Sequence, residues 1–127
     1  MKNKNIIYIS GKIGEDTPSA ATKRKFALAE QTLTALGWIV INPCSDRIHQ
    51  RTTQLVDKAR QAWDTATCGE FDAYTAYLTH DIQMLAKCSA IYLLHDWEQS
   101  PGAKAEYQFA KACRKQILNT FIKPACK

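Results

Sequence analysis

Short apolar runs alternate along this chain with longer stretches in which apolar residues recur every three or four positions. NIIYIS (5–10) is the first run, ends at Gly11 and reads as a buried strand. Gly11 and Gly14 give freedom to the loop that follows. Ser19 is the expected N-cap of a helix reaching Leu36, with Phe26, Ala29, Leu33 and Leu36 on one face and Gly37 as its stop. WIVIN (38–42) is a second strand, closed by Pro43. From Cys44 to about Gly69 the pattern weakens into a polar, basic stretch with one helix expected over 51–63. A clear helix follows from about Glu70 to Cys88, its buried face marked by Phe71, Tyr74, Leu78, Ile82 and Leu85. SAIYLLH (89–95) is the third strand, Ser100 and Pro101 open another helix, and QILNTF (116–121) is a short fourth strand.

Strands alternating with helices imply a parallel sheet covered on both faces, a three-layer α/β sandwich of Rossmann or flavodoxin-like form. Right-handed crossovers set the strand order 2-1-3-4 and a switch point between strands 1 and 3, where ligands of such sheets bind. Two loops meet there, SGKIGED after strand 1 and DWEQSPG after strand 3. The 127 residues, without repeats or a linker, make one domain.

One residue breaks the pattern beside that switch point. Positions 102, 103, 106, 109, 110 and 113 form the expected inward face of the helix opened by Pro101. Gly102, Ala103, Phe109, Ala110 and Cys113 suit such a face, and Glu106 does not. A capping-box glutamate would stand where Ala103 is, so capping does not explain it. A buried carboxylate is costly without compensation, and a nearby helix start favours its ionised form. Glu106 is therefore a candidate nucleophile or base, unless it turns to solvent or pairs with Lys104 or Arg114. Asp81 repeats the anomaly between Tyr77, Leu78 and Leu85. Two inward carboxylates in different environments suit glycosidic chemistry, one attacking and one handling the proton. Tyr8, near the end of strand 1, is within reach of either carboxylate or is an ordinary strand aromatic.

Composition narrows the partners. The formal charge of +5 suits a phosphate-bearing ligand or simply aids solubility, and the absence of a basic run interleaved with aromatics makes nucleic acid the weaker choice. Five cysteines without a C-x-x-C pair argue against a disulfide framework or structural zinc, and His49, His80 and His95 are too scattered for metal ligation. Neither a P-loop nor a dinucleotide fingerprint is present. Trp63 and Trp97 are assigned to packing, and Arg47, Arg51, Lys58 and Arg60 to a solvated face over the cleft. No apolar run has the length of a membrane span, and the N-terminal one is too short for a secretory signal, so a cytoplasmic protein is expected.

IIYISGKIG, WIVINP and THDIQMLAKCSAIYLLHDWEQSPGAKAEYQFA together resemble the nucleoside 2-deoxyribosyltransferase superfamily. The similarity is to a small, often phage-associated branch near the 2'-deoxynucleoside 5'-monophosphate N-hydrolases, and it covers most of the chain outside 44–69. The resemblance implies Glu106 as nucleophile at the anomeric carbon, Tyr8 orienting it and Asp81 passing a proton to the departing base. It gives Ser100 the place that contacts a 5'-phosphate in the hydrolases, where the transferases carry Asp. Gly11, Lys12, Ile13, Gly102 and Asp96 are the further expected substrate contacts, with no metal or organic cofactor. Two departures stand out: Gly14 replaces the hydrolases' first-loop Arg, leaving phosphate contact to Lys12 or Lys104, and the chain stops soon after the region from which a neighbouring subunit completes the family's site. The expectation is a homodimeric hydrolase releasing free base and deoxyribose 5-phosphate. Its alternatives are deoxyribosyl transfer to a second base and a non-catalytic nucleotide sensor.

Overall fold

The structure, a computed structural model, describes residues 5–14 and 17–119. Its elements are β1 (Ile6–Ser10), α1 (Ala20–Ala35), β2 (Ile39–Ile41), α2 (Asp46–Gln61), α3 (Thr65–Cys68), α4 (Ala73–Ala86), β3 (Ala90–Leu93), α5 (Pro101–Ala112) and β4 (Gln116–Asn119), with a 3-10 turn at Trp97–Gln99. The four strands are parallel in the order β2-β1-β3-β4, as the crossover rule requires.

The alternation of side chains along β1 divides the core in two. Ile7 and Ile9 point to one face and pack with Phe26, Ala29 and Leu33 of α1. Tyr8 points to the other, among Leu85 of α4, Ile91 and Leu93 of β3, and Ala110 of α5. Both layers exclude water from β1, where Ile7, Tyr8 and Ile9 are at most 1% exposed. The helices start where short polar side chains satisfy free amides: Ser19 accepts from the Thr22 amide, and Ser100 accepts from that of Ala103 with Pro101 following it.

Several boundaries differ from expectation. α2 begins at Asp46, capped by Ser45, and buries only Thr52 and Val56, which is why a hydrophobic pattern barely registers there. α4 begins one residue after the Asp72 cap, so Phe71 lies outside it and packs edge-on against Trp63. Tyr74, expected on the buried face, is 56% exposed at the first turn of α4. Leu36 and Cys113 were expected inward, yet each is the C-cap of its helix and exposed, because the helical period no longer governs a residue where the chain turns away. The last two positions of the expected fourth strand, 120 and 121, lie outside the described residues. Among the described residues no helix is long and apolar enough to cross a membrane.

Candidate active site

β1 ends at the switch point, and its period of two sends Tyr8 and Ser10 to the same side. Both reach Glu106 of α5. The Tyr8 hydroxyl donates to Oε2 at 2.9 Å and the Ser10 hydroxyl to Oε1 at 2.6 Å, so each carboxylate oxygen has one O–H donor. Glu106 is 5% exposed, and burial pushes its carboxyl up to about 7 while the Ser10 and Tyr8 bonds pull against that rise. Asp81, on α4, is raised further, to about 8, by burial and then by the neighbouring Glu106 charge. Among the described residues its carboxyl accepts no hydrogen bond. Two donors on Glu106 and none on Asp81 decide where a shared proton rests: Asp81 holds it and Glu106 is the anion. Burial, then the charges of Asp81 and Glu106, hold the Tyr8 phenol well above its ordinary range, so it remains a donor.

These three groups border a cavity of about 250 Å³, just below the usual range of small-molecule sites. One wall is the loop after β1. Gly11 is required there, since a Cβ would fall 2.7 Å from Leu94 Cδ1 and 2.9 Å from Leu94 Cβ. The Lys12 amide donates to Asp96 Oδ1 at 3.0 Å, and Lys25 Nζ donates to the Lys12 carbonyl at 2.8 Å and to Asp96 Oδ2. Lys12 is thereby fixed through both its backbone groups, and Lys12, Ile13 and Gly14 line the cavity.

A second wall is the start of α5. Ser100, Gly102 and Ala103 border the cavity there, and the Ser100 oxygen caps the Ala103 amide at 3.1 Å. Among the described residues the Ser100 hydroxyl proton and the Gly102 amide have no acceptor, and both lie at the positive end of the helix. A Cβ on Gly102 would stand 3.2 Å from the Tyr74 hydroxyl, so its bare backbone keeps that approach open.

The expected site residues Tyr8, Asp81, Glu106, Ser100, Gly102, Gly11, Lys12 and Ile13 thus surround one cavity. Asp96 was expected to touch substrate and does not line it; its oxygens are engaged by Lys12 and Lys25, and its part is to tie the loop after β1 to that after β3. Lys104 is exposed and does not line the cavity, which leaves Lys12 as the lysine bordering it among the described residues. Arg47, Arg51, Lys58 and Arg60 are exposed and also stand outside the lining. Trp63 donates to the Gly69 carbonyl and Trp97 packs on Tyr107, both packing roles.

Sequence reading missed Ser10, although its spacing of two from Tyr8 places it on the same strand face. It also missed His49 and Thr52 of α2, which line the cavity from the segment without a clear pattern. No curated protein matches this chain. Residues 5–119 match the family described as a domain of unknown function, DUF4406, a span that includes the four described strands and the described residues lining the cavity. The chain therefore belongs to the DUF4406 family.

Proposed function

We propose that this chain is an N-glycosidase that hydrolyses a 2'-deoxynucleoside 5'-monophosphate to free base and 2-deoxyribose 5-phosphate. The observation that carries the reading is Glu106: buried, bonded at both oxygens by Tyr8 and Ser10, and sharing a cavity with Asp81, which the balance of hydrogen bonds leaves protonated. The resemblance of the strand 1, α4 and α5 segments to nucleoside 2-deoxyribosyltransferases supports the same roles and relates this DUF4406 chain to that superfamily.

In the first step a Glu106 oxygen attacks C1' as the C1'–N bond breaks, and Asp81 gives its proton to the departing base. Water then attacks C1', its proton returns to Asp81, and the ester to Glu106 opens to restore the carboxylate. Ser100, the Gly102 amide and Lys12 favour a 5'-phosphate at the start of α5. On the same resemblance the enzyme acts as a homodimer.

Incubation with the four common deoxynucleoside monophosphates, with chromatography of released base, tests the proposal. The wild type should release base from at least one, and Glu106→Gln should remain folded and release none. Base release by Glu106→Gln at the wild-type rate would overturn the mechanism. Tight binding without release across the panel would favour the sensor, and release that depends on an added acceptor base would favour the transferase.

A further inference from the structure

α2 places His49 and Thr52 on the cavity, three residues apart and so on one helical face. Thr52 is 5% exposed, and among the described residues its hydroxyl makes no hydrogen bond. Three other threonines behave differently. Thr53 shares a hydrogen bond of 2.9 Å with the Tyr77 hydroxyl, while Thr32 and Thr79 donate to the carbonyls four residues back. A buried hydroxyl left unpaired costs free energy, and the cost is removed when a bound group supplies the missing partner.

The position of Asp81 says which part of a ligand lies there. Tyr77 and Asp81 are one turn apart on α4, on the same face. Tyr77 stacks on His49, with ring centroids 6.1 Å apart and an interplanar angle of 13°. A wall thus runs from Asp81 through Tyr77 to the α2 pair, while Ser100 and Gly102 border the cavity from the start of α5. The group that takes the proton of Asp81 stands next to this wall.

We propose that Thr52 reads the leaving base, its hydroxyl hydrogen-bonding a polar edge of the base beside the stacked His49 and Tyr77. The inference rests on the glycosidase reading for the identity of that group. The Thr52 hydroxyl both donates and accepts, so it discriminates among bases by position of the polar group. Sugar and phosphate contacts stay with Glu106, Ser100 and Lys12.

The test is Thr52→Val, which keeps the β-branched shape and removes the hydroxyl. Binding of the four deoxynucleoside monophosphates is measured by calorimetry in the Glu106→Gln background, and base release is measured with native Glu106. Thr52→Val should weaken binding of the preferred nucleotide about tenfold and narrow the spread among the four bases. Its melting temperature without ligand should equal or exceed that of the parent, since an unpaired buried hydroxyl is gone. Equal affinities of parent and variant for all four would overturn the inference even where base is released. A fall in melting temperature with a uniform loss across the panel would assign Thr52 a structural role instead and equally overturn it. Binding without release, still weakened tenfold by Thr52→Val, would keep this inference and overturn the catalytic reading; no nucleotide binding by the parent would overturn both.

Discussion

At the scale of single residues, the state of the site depends on how few donors face each carboxyl. Glu106 has Ser10 and Tyr8, and Asp81 has none among the described residues. If Glu106 must be ionised and Asp81 protonated, kcat/KM should describe a bell with its acidic limb near 7 and its basic limb near 8. Ser10→Ala removes a donor to the ionised form, so the Glu106 carboxyl should rise and the acidic limb should move up by about one pH unit. A pH profile of base release decides this, and an unmoved acidic limb would show that the Ser10 bond does not act on the nucleophile. Glu106 and Asp81 were legible as misfits on otherwise apolar faces. Ser10 was not, because a serine closing a strand gives no such contrast.

At the scale of elements, α5 brings three groups to one end of the site: the Ser100 cap, the Gly102 amide and, one turn on, Glu106, the proposed nucleophile. Ser100→Asp separates them. Aspartate caps a helix as well as serine does, so the fold should persist with little change in melting temperature. Its charge would stand against a doubly charged phosphate, and the preference for a monophosphate over its nucleoside should fall by about 100-fold or more. Measuring kcat/KM for both substrates in both proteins gives the answer. An unchanged ratio would reduce Ser100 to a cap. The α5 start was readable from Ser100-Pro101-Gly102 because capping is local chemistry. α2 was read short, over 51–63 against the observed Asp46–Gln61, since a helix that buries two residues leaves almost no hydrophobic period.

At the scale of the whole molecule, the carboxylate pair sets stability against the proposed function. The ordinary values are 4.5 for Glu106 and 3.8 for Asp81, and the folded ones are raised to about 7 and about 8. Well below 3.8, the lower of the two ordinary values, both groups are protonated, folded or unfolded, and neither opposes folding. As pH rises toward 8 the unfolded chain loses protons that the folded chain retains, so stability falls, and the full penalty is reached above about 8. Asp81→Asn should therefore flatten the decline and raise stability at pH 9 by an amount on the order of a few kcal/mol, at the expense of turnover. Denaturant melts of both proteins at pH 4, 7 and 9 check the sign, and equal stabilities at pH 9 would contradict it. The sequence by itself determined the alternation of strands and helices, the order β2-β1-β3-β4 and the Ser19 and Ser100 caps, because periodicity, capping and crossover handedness act over short stretches of chain. Tertiary structure alone decided that Asp96 ties loops rather than lining the cavity, that Ser10 joins Tyr8 on Glu106, and that α2 delivers the buried Thr52 to the site. Those outcomes depend on hydrogen bonds and desolvation between segments up to 98 residues apart, which no local pattern encodes.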